Sequence, residues 1–467
     1  MIISYENRLQ YFYFFLSGLV ASALLILVYI SMQTTLNEHR KENLKVLQKS
    51  LEFIKPPTSW NYNNTWQPIG TAALKHQIYS AYFDARTEIF EHVDDDIDSF
   101  LYASLRIFAI FPLKMSDTIT CHVRHQDFTV TQIAALDFNA MHEHHETKFA
   151  AYSIMCPLRT KRNVKNVLLP LSVAISYASN SLSRTKPTYV PISYPKHVED
   201  MLQKSKPEIA VCVGPLQLHY GDALRVAEFV EMYRLQGASR FYFYRIDVSD
   251  EVLNLLEHYR SLGVAEILDW DTLLYGEDIH DVGIIAEFNE CIFRAMVVES
   301  YRYAAIVDLD EIIMPMKHNS LSDFLRQCDE GRTSGFVFRN VFFHKKDPDD
   351  MFTVPSHVRN RLLYTQNKVR RTVEVMPAYL RSKLVVNTRS IVEIGNHQVW
   401  RTLPGYSDNV VHPSVGLLYH YRDKCINCKA LLMVDYTARR FGSLIWDRVD
   451  EVCLKVFLAN GGLCPTV

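Results

Sequence analysis

The chain has 467 residues, of which 48% are hydrophobic and 22% charged, with a formal net charge of −2. This length calls for two or three folded units with sizeable cores, and the composition is that of ordinary globular protein. The near-neutral balance, without any Lys/Arg cluster interleaved with aromatics, speaks against nucleic acid or an acidic membrane surface as a partner.

Tyr11 to Ile30 is a run of twenty residues without a charge, opened by Tyr11, Phe12 and Tyr13 and closed near Tyr29. It has the length of a membrane-crossing helix and aromatics where interfacial belts lie. The run is long for a signal-peptide core and no small-x-small cleavage site follows, so a retained anchor is expected. Residues 1–10 then form a short tail, and 31–75, rich in Pro, Asn and Trp after a charged stretch, form a stem. Arg8 precedes the span while Arg40, Lys41 and Lys45 follow it, which favours a cytosolic body. The chain's single N-glycosylation sequon, at Asn63, points the other way, so the residues alone leave the topology open. Nine scattered cysteines leave at least one unpaired. Cys425 and Cys428 form a lone C-x-x-C that suits a local disulfide or two buried thiols better than zinc.

Residues 76–206 read as a smaller β-rich region, with strand patterns at Gln77–Phe83, Leu105–Ile110 and Thr120–Arg124. Within it, His142-Glu143-His144-His145-Glu146 lacks the spacing of a helical His pair and reads as a solvated polar face. The Pro-containing stretch Lys186 to Pro207 reads as a linker. From Glu208 strands and helices alternate: Ile209–Gly214, Asp222–Leu235, Phe241–Tyr244, Asp250–Leu262, Val264–Leu268 and Ile284–Tyr301. That order calls for a mostly parallel sheet covered by helices on both faces.

The next segment, Tyr303 to Pro315, reads as a buried strand ending in Asp308, Asp310 and Glu311, with Pro315 preventing a central strand from continuing. Three carboxylates within four positions repel one another unless a cation sits among them. Mg²⁺ or Mn²⁺ suits carboxylate and diphosphate oxygens, and open α/β sheets bind ligands at the carboxyl ends of their strands. The sharp reading is an Asp-x-Asp metal–diphosphate site, and the bland one is a solvated acidic turn. No G-x-G-x-x-G follows the first strand and no G-K-[ST] loop occurs, which argues against dinucleotide oxidoreductases and P-loop enzymes. A haloacid-dehalogenase-like phosphatase would want Thr or Val two residues beyond the second Asp, where this chain has Ile312, and would carry its motif earlier in the fold.

Between Glu208 and about Tyr421 stand Val211-Cys212-Val213-Gly214-Pro215-Leu216, Glu228 to Ala238, Phe241-Tyr242-Phe243-Tyr244 and Ala304 to Glu311. Lys383-Leu384-Val385-Val386, Gly395-Asn396-His397 and His420-Tyr421-Arg422 follow. In these motifs, their order and their spacing the chain resembles glycosyltransferase family 92. The resemblance implies a GT-A (nucleotide-diphospho-sugar transferase) domain over 207–460 and a single-pass type II anchor in the Golgi. It also implies inverting transfer of a hexose from UDP-galactose to a glycan acceptor, with Mn²⁺ or Mg²⁺, and it turns the topology toward a luminal body. The chain departs from the pattern at Asn396, where Ile or Met is expected, and at Arg245, where acidic residues are common.

On this footing Asp310 is the first choice as direct metal ligand. Asp308 faces the ribose or the metal through water, and Asp308 and Glu311 are the carboxylates assigned to catalysis. His420 and His397 are candidates for a late metal ligand, since neutral imidazole suits Mn²⁺. Lys383 and Arg422 could neutralise phosphate charge. Inversion needs a carboxylate to take the acceptor's proton, and sequence does not isolate it among Glu374, Glu393, Asp408 and Glu311. The alternative is a membrane-anchored protein that binds a glycan or nucleotide sugar without turning it over, against which the retained cluster of charge counts.

Overall fold

The computed structural model describes residues 65–69, 75–86, 89, 100–115, 118–161, 169–177, 187–194, 209–351, 354–423 and 430–466. The tail, the expected anchor at 11–30, most of the stem, Asn63, Cys425 and Cys428 lie outside these residues. Among the described residues no helix is long and apolar enough to cross a membrane.

The β-rich region is built from β1 (Gln77–Asp84), β2 (Phe100–Pro112), β3 (Ile119–His125), β4 (Val130–Ala134), β5 (Phe149–Lys161), β6 (Pro170–Tyr177) and β7 (Val190–Ser193). They lie in the order β4-β3-β6-β7-β1-β2-β5. The sheet curls until the chain leaving β4 meets β5, where Leu136 N–H donates to Met155 O at 2.8 Å and Met155 N–H to Asp137 O at 3.0 Å. Alternating side chains such as Leu105, Ile107, Ile154 and Val173 fill the interior. The expected linker at 186–207 therefore begins with a strand of this sheet. Val190 and Ile192 alternate into the core, and Ile192 pairs with Ala81 of β1.

The second unit begins with β8 (Ile209–Leu216), α1 (Ala223–Leu235), β9 (Ala238–Arg245), α2 (Asp250–Ser261) and β10 (Ala265–Asp269). The helix starts are local: Asp222 caps α1 by accepting from Arg225 N–H, and Ser249 caps α2 by accepting from Val252 N–H. Then come α3 (Ile284–Val297), β11 (Tyr303–Val307), β12 (Glu311–Pro315), α4 (Leu321–Cys328), β13 (Thr333–Phe338) and β14 (Asn340–His344). The chain closes with β15 (Arg370–Thr372), β16 (Lys383–Asn387), β17 (Ile391–Ile394), β18 (Val399–Thr402), β19 (Ser407–Val410), β20 (Gly416–Arg422), β21 (Leu432–Val434) and α5 (Gly442–Val456).

One sheet runs β10-β9-β8-β11-β16-β13-β19, and its first four strands are parallel. The strand order reverses between β8 and β11, which is where open α/β sheets form a ligand crevice at their carboxyl ends. A second sheet, β12-β20-β14-β15-β21, stands beside it. The acidic segment is therefore two strands rather than one. β11 stops at Val307, and β12 begins at Glu311 in the other sheet, with Pro315 on its edge opposite Gly416. The break has a local cause: Glu311 N–H donates to Asp308 O at 3.1 Å, while its carboxylate accepts Asp308 N–H at 2.9 Å.

Disulfides join Cys121 to Cys156, Cys212 of β8 to Cys291 of α3, and Cys453 to Cys464, leaving Cys328 as the free thiol among the described residues. The two units share a buried seam. Trp270 packs edge-on against Trp66 and Tyr79, with ring centroids 4.8 and 4.7 Å apart. Beside it, Glu290 of α3 is fully buried; it accepts from the hydroxyls of Tyr82 and Tyr244 and pairs with Arg294 at 2.8 Å. Removing one partner of a buried pair leaves an uncompensated charge. We expect Glu290→Ala to lower unfolding free energy by about 3–5 kcal/mol, measured by urea denaturation at neutral pH.

Candidate active site

The register of the sheets assembles the site. Antiparallel pairing of Ile306 with Leu384 carries Lys383 to the end of β11, and pairing of Glu311 with His420 sets the imidazole against the acidic turn. Gly214, at the end of β8, lies so close that a Cβ there would sit 2.6 Å from Asp308 Oδ1. The Tyr233 hydroxyl, reaching from α1, donates to Glu311 O at 3.2 Å and accepts Ile313 N–H at 3.0 Å, which holds the start of β12.

Lys383 is the hub. Its ammonium lies 3.1 Å from Asp308 Oδ2, 3.5 Å from Glu311 Oε2 and 2.5 Å from Asn396 Oδ1, and its side chain is only 1% exposed. With three donors already engaged, it serves as a fixed counter-charge for the carboxylates. Burial opposes its charge, but Asp308 and Glu311 raise its pKa above the usual lysine value. Glu311 is 2% exposed, with Oε1 3.2 Å from His420 Nδ1 and Oε2 on Lys383 and Asp308 N–H. Burial pushes its pKa up to about 7 despite the opposing charge of Lys383.

Asp308 and Asp310 differ from Glu311 in being open, each with a side chain 39% exposed. Asp310 Oδ2 lies 3.3 Å from His420 Nε2. Burial works to raise Asp310, yet its hydrogen bond to His420 and the charges of His420, Lys345 and Arg422 hold it below the usual carboxylate range. His420 moves the opposite way: burial opposes its charge, but Glu311 and Asp310 raise its pKa above the ordinary value. The Asn340 amide, 3.0 Å from His420 Nδ1, fixes the ring. A pocket opens beside Asp310, lined by Tyr220, Arg225, Lys345, Tyr364 and Tyr421 among others.

The fold thus gathers Asp308, Asp310, Glu311, Lys383 and His420 in one place and sets the charges of Arg422 and Lys345 near Asp310. His397 stands apart from the Asp310–His420 pair. Its Nδ1–H donates to Ser382 O at 2.9 Å, and burial together with the neighbouring Lys383 charge lowers its pKa. Among the described residues no three His, Cys, Asp or Glu side chains converge as a complete metal shell. Of the other carboxylates weighed in sequence, Glu393 is bound to His142 at 2.8 Å, Asp408 accepts from the Tyr379 hydroxyl at 3.0 Å, and Glu374 is exposed. Arg245 pairs with Asp269 at 2.5 Å. The polar face expected at 142–146 is solvated at His142, His145 and Glu146, which are exposed, but it is also engaged: His142 stacks on Trp400 with centroids 4.3 Å apart, and Glu143 accepts from Asn396 N–H and the Trp400 indole. Sequence reasoning missed Asn340 and Lys345 and noted Asn396 only as a departure from the family's pattern; the Lys345-Lys346 pair closing an apolar strand was a usable signal for one of them.

The sequence that builds this site has relatives among known proteins. The sequence model of glycosyltransferase family 92 matches residues 207–451, more than half of the chain, and the chain belongs to that family. It is accordingly a glycosyltransferase, with a sugar donor and a glycan acceptor as substrates. It is similar to the beta-1,4-galactosyltransferase galt-1 of Caenorhabditis elegans, at 23% identity over 372 residues that cover 77% of this chain and 79% of the relative.

The hub generates a stability test. Lys383→Met strands the buried Glu311 beside the half-exposed Asp308, so we expect a loss of about 3–5 kcal/mol in chemical denaturation. The double variant Lys383→Met/Glu311→Gln, which removes one of those charges, should recover a large part of it.

Proposed function

We propose that this chain is an inverting, divalent-metal-dependent transferase of GT-A architecture that moves galactose from UDP-galactose to a glycan. The observation that carries this reading is the Asp310–His420 pair at the reversal of strand order, with Asp310 open to solvent, His420 buried beside it and a buried charge cluster behind them. The transferase domain is 207–460, the β-rich 76–206 is its accessory region, and the anchor at 11–30 holds both in the Golgi lumen. Three disulfides favour an oxidising compartment, and the Asn63 sequon is compatible with it. Galactose as the donor sugar is supported by the name of the Caenorhabditis elegans relative.

The donor set fits Mn²⁺ or Mg²⁺ in part: one carboxylate and one imidazole, with room for diphosphate oxygens and water. Asp310 and His420 would hold the ion, whereas the Lys383 charge beside His397 disfavours a cation there. Bound there, the ion would supply Lewis-acid stabilisation to the departing diphosphate. Arg422 and Lys345, whose charges already act on Asp310, meet the phosphates from the β14–β20 side. Asp308 faces the donor ribose, and Glu311 orients Lys383 and His420 from its buried position.

The direct test is UDP release from UDP-galactose by residues 32–467 with a mixed glycan acceptor and Mn²⁺. Asp310→Ala should lower the rate at least about 100-fold, since even residues that only support metal ligands cost 10–100-fold. Binding of UDP-galactose without turnover on any acceptor would instead favour the binding-protein alternative. A pH dependence follows as well. Because the raised pKa of His420 keeps it protonated at higher pH, a metal must displace that proton. Mn²⁺ affinity should therefore rise up to about ten-fold per pH unit until His420 is deprotonated, and calorimetry at pH 6 and 8 should show the slope flattened in His420→Asn.

A further inference from the structure

The segment 142–146 belongs to the β-rich region, yet its side chains reach the hairpin β17–β18, some 251 residues further along the chain. Glu143 Oε2 accepts Asn396 N–H at 2.8 Å and Oε1 accepts the Trp400 indole N–H at 2.9 Å. His142 locks the same hairpin, with its N–H and Nδ1 on Glu393 Oε1 at 2.7 and 2.8 Å. The approach is as close as the backbone permits: a Cβ on Gly395 would lie 1.9 Å from Glu143 Oε1. The aim of Glu143 is also held against backbone preference, because Glu143, His145 and Glu146 all have positive φ, at 61°, 50° and 56°. Non-glycine residues adopt that region rarely, and clusters of them persist only where surrounding contacts enforce them.

What the contact secures is Asn396. The backbone N–H of this residue is held by Glu143 while its side-chain oxygen receives Lys383 Nζ, which in turn lies on Asp308. We propose that Glu143 is a positioning residue for the donor site, acting through Asn396 and Lys383 on Asp308. The proposal rests on the reading of Asp308 as the donor-facing carboxylate. It makes the β-rich region part of the machinery, since the transferase domain alone would leave the Asn396 turn without its anionic partner. It also gives a role to the chain's departure at Asn396: Ile there offers Lys383 no side-chain acceptor, and Met only a weak one.

A simple structural latch would serve stability alone, so the test separates stability from donor handling. For the luminal body with UDP-galactose, UDP and Mn²⁺, the readouts are donor KM, acceptor KM, UDP affinity by calorimetry and the thermal midpoint. Glu143→Ala and Asn396→Ala should each raise donor KM and UDP Kd about ten-fold, the usual worth of one charge-assisted hydrogen bond. Acceptor KM should hold, and the double variant should be no worse than either single one. Glu143→Gln should restore part of the loss. Trp400→Phe removes the other bond of Glu143 and should lower the thermal midpoint with donor KM unchanged. Multiplying effects in the double variant, or a donor KM moved equally by Trp400→Phe, would overturn the proposal. Lys383→Met separates the two readings. If it leaves UDP affinity intact while Asp310→Ala abolishes turnover, the transferase stands and the relay through Lys383 falls.

Discussion

Everything at this site depends on one ammonium group buried between two carboxylates. Without Lys383, the buried Glu311 would keep only His420, 3.2 Å away, as a counter-charge while facing Asp308 across the gap between two sheets, and burial would drive Glu311 further toward protonation. With it, Glu311 can be sealed at 2% exposure while Asp308 and Asp310 remain open. The cluster acts like a keystone: β11 and β16 belong to one sheet, β12 and β20 to the other, and the ion pairs tie their ends together. The charge that a transferase needs at its surface is thus organised from behind by charge that never meets solvent.

Much of the architecture was legible in the sequence because it rests on local signals. The alternation from Ile209 to Val307 follows hydrophobic period and capping residues such as Asp222 and Ser249, and the observed bounds differ mainly at the ends. Ile284 to Tyr301 reads as a single helix, yet α3 stops at Val297, where Tyr301 N–H bonds back to Ala295 O. The acidic residues were conspicuous by composition. Their division between two strands was not, since apolar residues flank the turn on both sides and the break is made by a side chain bonding to the backbone.

The rest was hidden by distance along the chain. Glu143 and Asn396 are 253 residues apart, and Asn340 and His420 are 80 apart. A polar run such as 142–146 looks solvated when each residue is judged alone, and only the fold shows Trp400 and the Gly395 turn waiting for it. Strand β7 was concealed by Pro191 inside the four-residue segment and by Pro187 and Pro195 on either side of it. In each case the missing information was which distant element lies opposite, which neither periodicity nor propensity encodes.

The central claim is that Asp310 and His420, at the point where strand order reverses, receive the metal and diphosphate of a sugar donor. A crystal of residues 32–467 soaked with UDP and Mn²⁺ tests it most directly through the anomalous signal of the ion. The account places that peak on Asp310 and His420, with the phosphates toward Arg422 and Lys345 and Lys383 still bound to Asp308. A peak held by other residues, or UDP seated away from the ends of β8 and β11, would contradict it.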